Sequence, residues 1–481
     1  MTDLRPRPPL PRRETQQTLL WTLATLAGLQ VLAAVLLVTL VPGDGRGDGG
    51  TVLTGATARY ATAAAGLVAL VLLLAGLTGA GGRWRYDVPG RRDLRVDMLR
   101  GLAVVFVVLN HLQLESLWEL LSQELIGPVS GAELFVALSG AVLGLVYRPR
   151  FETSPLTTAA SPLLKRAWKL YYTSLAVVVV VYLMSVGPRV EGEVVTTFTD
   201  QGTGAAGAAA AGTVYDLYPN IHGFAAYPVP GFVIESLLLL QEGPWQFNVM
   251  GLYVVLLLAA PLLLALLRRR LWPVVLGVSW VLYGVNEVAR VQLLPSQFED
   301  SFPLLSWQVL FVTGLVAGWH RQRLLDAAGT AAGRAVVTLA VVAYCGTLFF
   351  SWNNPFLSNA YDARLALIPD ATFNAVYRGW FERTFVEPGR LVSVVLVLVA
   401  LFALLTAFWK PLAAAAGWFL IPLGQATLYV FIMHVFLALA LANIPALDET
   451  DVVQGTVAHT VVLALLWVMV KRRFLFWLVP R

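Results

Sequence analysis

Apolar stretches of about twenty residues, separated by short polar segments rich in arginine, recur along the chain from residue 17 to residue 470. A hydrocarbon layer about 30 Å thick takes roughly twenty helical residues to cross. Runs of this kind fall at about 17–41, 59–80, 96–113, 131–147, 169–186, 248–267, 272–285, 305–319, 334–351, 390–408, 412–442 and 452–470. The seventh and eighth are short, and the eleventh is long and interrupted by Pro422 and Gly424. Inside lipid a segment must satisfy its own backbone, which a helix does; barrel strands would alternate polar and apolar residues instead. The pattern predicts an all-α, polytopic integral membrane helix bundle of about 10–12 transmembrane spans.

The polar segments between these runs differ in charge. The amino-terminal tail, the 81–95 loop, the 148–168 loop, Arg268 to Arg270, the 320–334 loop and the tail Lys471, Arg472 and Arg473 are basic. They fall on alternate loops, while 114–125 and 447–451 are acidic. The positive-inside bias then places both termini in the cytoplasm. The first run is too long for the apolar core of a signal peptide and reads as a first span. Two outer loops are larger, at about 187–247 and 352–389. The second mixes Trp, Tyr, Asn, Asp and Arg, which suits either a sugar-binding surface or an ordinary interfacial loop with its aromatic belt.

Composition agrees with the pattern. Apolar residues make up 58% of the 481 positions and charged residues 13%, with a mean hydropathy of +0.71; soluble domains carry about twice that share of charge. The single cysteine, Cys345, excludes a disulfide within the chain and a cysteine-based metal site. No metal-ligand spacing and no phosphate-cradling glycine loop is present. The basic clusters are short and adjoin the spans, so topology explains them without nucleic acid.

Ionisable residues inside spans carry the candidate chemistry, because burying them in lipid is costly. The third span reads LRVDMLRGLAVVFVVLNHL. Arg100 and His111 are eleven residues apart, so they return to within about 20° of one helix face and lie about 16 Å apart along the axis. Asp97 is placed to pair with Arg100 as a helix neighbour. Glu133 opens the fourth span in SGAELFVALSG, at the depth of His111. A carboxylate beside His111 would orient the ring and raise its basicity, as a general base for a hydroxyl acceptor requires; the structural alternative makes Glu133 a cap. Gly131, Gly140 and Gly144 permit close helix approach. His434, in LGQATLYVFIMHVFLALALA, reads either as a second catalytic or positioning histidine or as a core histidine satisfied by a carbonyl.

Four blocks in order resemble the OpgC-type membrane acyltransferases, within the superfamily of acyltransferase family three: RRDLRVDMLRGLAVVFVVLNHL with AELFVALSGAVLGLVYR, then LLLQEGPWQFNVMGLYVVLLLAAPLLL, FPLLSWQVLFVTGLVAGW and LGQATLYVFIMHV. The similarity covers about 90–440. Asn110 stands where the family usually has aspartate, and Asn248 and Gly251 stand where it has Asp and Pro.

The resemblance implies a membrane O-acyltransferase that moves an acyl group, succinyl or similar, from a cytoplasmic acyl-CoA donor to a hydroxyl of an extracytoplasmic glycan. On this reading His111 deprotonates the hydroxyl, Glu133 orients His111, Arg100 binds the donor or stabilises charge, and His434 completes the site. Arg91, Arg92, Arg95, Lys165, Arg166 and Lys169 are candidates for the phosphates of acyl-CoA, succinyl-CoA being one form. The implied partners are the bilayer of the cell membrane and the glycan, with no metal and no nucleic acid. Residues 1–90 would hold the tail and two extra spans, 91–445 the acyltransferase domain, and 446–481 the final span and basic tail. A transporter or flippase of a glycan or lipid would also use buried Arg, His and Glu, although no repeat between halves is visible; a non-catalytic scaffold is the third class.

Overall fold

The computed structural model describes residues 84–88, 92–122, 124, 126–200, 212–221, 223, 226–355, 367–445 and 447–479. The expected spans at 17–41 and 59–80, and Arg91, lie outside the described residues. The other ten apolar stretches all fall on helices: α1 (Leu94–His111), α2 (Gly131–Thr153), α3 (Leu156–Ser185), α4 (Val249–Arg268), α5 (Trp272–Ala289), α6 (Leu304–Trp319), α7 (Ala331–Ser351), α9 (Pro388–Ala407), the pair α10 (Trp409–Gln425) and α11 (Thr427–Ala442), and α12 (Val452–Arg472). The amphipathic α8 (Asp370–Trp380) lies between α7 and α9. Among the described residues, six helices are long and apolar enough to cross a membrane, or seven if the bent pair counts as one. α1 carries three charged residues, Arg95, Asp97 and Arg100, and is nonetheless almost wholly buried. The protein is a polytopic α-helical membrane protein.

Local sequence explains where the helices begin. Asp93 caps α1 by accepting the Arg95 N–H at 3.0 Å, Asp451 caps α12 on Val453 and Gln454, and Thr330 caps α7 on Gly333. Each side-chain oxygen satisfies a backbone donor that the first helical turn leaves unpaired. The interruption expected in the eleventh run is a 90° bend between α10 and α11. Pro422 lacks an N–H for the helix ladder, and Ala426 at the corner bonds three residues back, to the Leu423 carbonyl at 3.0 Å. Residues 412–442 are therefore two helices meeting at a corner.

The tightest crossing joins α2 to α6. Gly140 and Gly144 on α2 face Gly314 and Gly318 on α6, and each pair is spaced by four residues, so both glycines of a helix share one face. A Cβ on Gly140 or Gly144 would collide with the carbonyl of Phe311 or Leu315; one on Gly314 or Gly318 would collide with that of Ala137 or Ala141. The neighbouring α5–α6 contact is polar: Ser279 donates to Gln308 at 2.7 Å and Asn286 to Ser306 at 2.9 Å, all buried. α7 is peripheral: little of its apolar stretch is buried, whereas more than half of that of α2 is.

The loops gather at two ends. At one, Arg95 donates to Thr406, Arg321 to Asp93, Arg148 to the Trp319 carbonyl and Arg268 to the Ser154 carbonyl. Burial works against ionisation of Asp93, but the guanidinium groups of Arg95 and Arg321 outweigh it and hold its carboxyl below the ordinary value. At the opposite end β1 (Thr197–Thr199) pairs antiparallel with β2 (Val214–Asp216), and Asn443 donates to the Glu191 carbonyl at 3.1 Å.

The backbone contact at the α2–α6 crossing predicts that Gly314→Leu lowers thermal stability in detergent by about 1–3 kcal/mol or more. Gly277, which has nothing within 4 Å of an added Cβ, should accept leucine with no measurable change. Thermal unfolding of the two variants followed by circular dichroism checks both.

Candidate active site

α1 ends on His111, and α11, redirected by the corner at Ala426, lays His434 beside it. Nδ1 of His111 lies 2.8 Å from Nε2 of His434, with the rings stacked at 5.0 Å between centroids. His434 is fully buried, whereas His111 keeps partial exposure. The other nitrogen of His434, Nδ1, is buried without a hydrogen-bond partner among the described residues. Phe431 packs edge-on against both imidazoles, 6.2 Å from His111 and 5.2 Å from His434. On the open side, the Trp245 ring meets His111 edge-on at 4.9 Å and Phe198 at 5.6 Å. The segment carrying Trp245 is anchored by Gln246, which donates to the Val194 carbonyl at 2.7 Å. The exposed Arg383 lies within electrostatic reach of His111.

Glu133 does not pair with His111. Its carboxylate takes the Ser130 N–H and the Ser130 hydroxyl, the latter at 2.6 Å, and forms an ion pair with Arg390. Arg390, at the start of α9, is fully buried, and its other nitrogens reach Glu124 at 2.7 Å and the Phe381 carbonyl at 2.8 Å. Tyr377 on α8 donates to Glu124 at 2.9 Å. The physical reason is charge: a buried carboxylate gains more from a guanidinium than from an imidazole, and Arg390 has no water to turn to. Glu133 is thus a helix cap and ion-pair partner here, and the ring of His111 is oriented by His434.

Arg100 and Asp97 also differ from expectation. Asp97 is held by Arg92, at 2.6 and 2.9 Å in bidentate geometry, and by Gln425 at 3.0 Å. Arg100 donates to Thr427 at 2.5 Å, at the corner between α10 and α11. Its Nε is buried without a hydrogen-bond partner among the described residues. Beside it lies a cavity of about 90 Å3 whose polar lining includes Arg100, Arg166, Ser139, Tyr253 and Thr427. Phe135 lines this cavity and stacks on Phe431 at 5.9 Å, so two phenyl rings stand between the cavity and the imidazole pair.

Of the donor candidates, Lys165, Arg166 and Lys169 are exposed along α3. Arg92 is exposed although bonded to Asp97. Arg95 is not available to a ligand: it is buried, paired with Asp93 at 2.8 Å, and its guanidinium lies 4.1 Å from the Tyr86 ring centre and 4.2 Å from that of Phe402. Sequence reasoning missed Arg390, Glu124, Trp245 and Thr427. Arg390 gave a readable signal, since a cation just inside an apolar run demands a buried partner. Thr427 and Trp245 gave none, because their partners lie on other helices.

A polytopic helical membrane protein with a buried imidazole pair near one end of its bundle is the class that fold and site define. A family model described as OpgC protein matches residues 92–476, most of the chain. The chain belongs to the OpgC family, to which the motifs around Arg100, His111 and Glu133 pointed. The match extends through α12. No curated protein and no solved structure matches the chain.

The buried charge cluster predicts that Arg390→Met, by stranding Glu133, costs about 3–5 kcal/mol of stability. Arg390→Met combined with Glu133→Gln should recover part of that loss. Unfolding midpoints in detergent for the two variants measure both effects.

Proposed function

We propose that the protein is a membrane O-acyltransferase that carries an acyl group from a cytoplasmic acyl-CoA, such as succinyl-CoA, to a hydroxyl of an extracytoplasmic glycan. The observation that supports this most is the 2.8 Å contact between His111 and His434 in a bundle that belongs to the OpgC family. The lysine and arginine bias assigns the end holding Arg95, Arg148 and Arg321 to the cytoplasm and the end holding His111 to the outside. The plasma or inner membrane is the corresponding location.

The transfer needs one tautomer of the pair: Nδ1 of His434 carries its proton, so its Nε2 accepts from Nδ1–H of His111. Nε2 of His111 is then a lone pair, available to a substrate. In the transfer, Nε2 of His111 takes the proton of the attacking hydroxyl as its oxygen bonds to the thioester carbonyl carbon. The C–S bond breaks on collapse of the tetrahedral intermediate, and the proton passes from His111 to the leaving thiolate, giving an ester and free thiol. His434 keeps His111 in the basic tautomer and stabilises the imidazolium by accepting its Nδ1–H. Trp245, beside His111, offers a flat face to a sugar ring, and Arg383 offers charge to the developing oxyanion.

The donor's anionic groups belong at the basic end. Arg166, Lys165, Lys169 and Arg92 remain accessible there, and Arg100 presents an unsatisfied Nε beside the cavity. About 16 Å of helix separates Arg100 from His111, a span that an extended pantetheine arm can bridge. The phenyl rings of Phe135 and Phe431 must part for such an arm to pass.

Mass spectrometry of envelope glycans from cells with and without the protein tests this reading. An acyl mass should vanish without the protein and should fall by about 100-fold or more in His111→Ala. An unchanged glycan profile in cells lacking the protein, or full acylation by His111→Ala, contradicts it.

A further inference from the structure

His459 has no part in the transfer scheme above. It lies on α12, a helix whose sequence gave no sign of belonging to the site, and it is fully buried. Its Nδ1 lies 3.1 Å from the Gly455 carbonyl oxygen, one turn back on the same helix. Its Nε2 lies 3.1 Å from the Leu109 carbonyl oxygen, on α1, two residues before His111. Leu109 belongs to the last turn of α1, where the helix supplies no N–H to its carbonyls. The chain turns away directly afterwards, with Gln113 at φ +54. A neutral imidazole donates through one nitrogen only, so the two carbonyls compete for its proton. The Gly455 carbonyl already has its helix N–H, whereas the Leu109 carbonyl would otherwise be left bare in an apolar bundle, which favours the tautomer with the proton on Nε2.

The rest of α12 and the loop that leads into it grip the same segment. Thr456 accepts the Leu117 N–H at 2.9 Å, Thr460 accepts from the Trp118 indole at 2.8 Å, and Glu115 N–H reaches the Glu449 carbonyl at 3.0 Å. Gly455 lies so close that an added Cβ would strike the Glu115 carbonyl. Residues 109–118 are therefore held along one side of α12, and His459 is the contact nearest the catalytic end of α1.

We propose that His459 is a positioning residue: its Nε2–H caps the carbonyl end of α1, fixes the direction in which His111 leaves that helix toward His434, and makes α12 part of the catalytic unit. The proposal rests on the reading of His111 as the base. Two amide substitutions separate the contacts of His459. Asparagine places its N–H near the position of Nδ1 and reaches only Gly455, whereas glutamine reaches as far as Nε2 and toward Leu109.

The test compares wild type, His459→Gln and His459→Asn as full-length protein in nanodiscs, by acyl-transfer kinetics and by the rate at which diethyl pyrocarbonate modifies His111, read by peptide mass spectrometry. His459→Gln should keep kcat within about threefold of wild type. His459→Asn should lose roughly 10- to 100-fold in kcat with the donor KM unchanged, the cost expected of misplacing a catalytic group by about an ångström. Modification of His111 should be several-fold faster in His459→Asn than in His459→Gln. Equal kcat and equal modification in the two variants overturn the proposal, whatever their absolute level. The modification rate needs no turnover: a difference there with an inactive wild type would uphold the positioning role and refute the acyl-transfer reading instead.

Discussion

A guanidinium sealed from water must find its counter-charge inside the bundle, and Arg390 finds two. Glu133 and Glu124 reach it from the start of α2 and from the 114–130 segment, and Tyr377 reaches Glu124 from α8. Each charged member is costly to bury alone and acceptable only in company, so the cluster fixes the relative positions of four chain segments, α2, the 114–130 segment, α8 and α9. Those segments form the end of the molecule at which α1 delivers His111. An apolar cluster of the same volume would hold the helices together with less insistence on one arrangement.

Close approach does the complementary work along the helices. Inside lipid there is little hydrophobic gain in bringing one apolar helix against another, so shape and backbone proximity decide which pairs meet. The glycines at the α2–α6 crossing bring carbonyls against Cα atoms. Gly101 and Gly424 do the same where α1 meets α10, each facing the partner's backbone, at Leu420 and Asp97 respectively. That second contact holds the corner at Ala426 against α1. The corner in turn aims α11 so that His434 arrives beside His111. The corner at Ala426 thus brings the two histidines together, with Arg100 bonded to Thr427 at the turn.

Much of this fold was legible in the sequence. Apolar runs of bilayer length gave the helices, and the eleven-residue spacing put Arg100 and His111 on one face of α1. Pro422 and Gly424 marked the break at 422–426. What could not be read was pairing between distant segments. Glu133 and His111 were at the same depth, but depth leaves open which neighbour a side chain turns to, and Arg390 stands 257 positions away in the chain. Asp97 and Arg100 had helix spacing for a pair, yet Arg92 offers Asp97 a bidentate grip that Arg100, drawn to Thr427, does not. His434 admitted two readings from sequence, and only the packing of α11 against α1 brings it to His111.

In the proposed reaction His111 and His434 act as one unit, one ring taking the proton and the other fixing its tautomer. Groups that act as a unit are not additive when removed singly and together. Acyl-transfer rates of His111→Ala, His434→Ala and the double variant, measured on the same nanodisc preparations, test this directly. The double variant should be no slower than His111→Ala alone, within about threefold. A double variant slowed by the product of the two single effects would show two independent residues and contradict it.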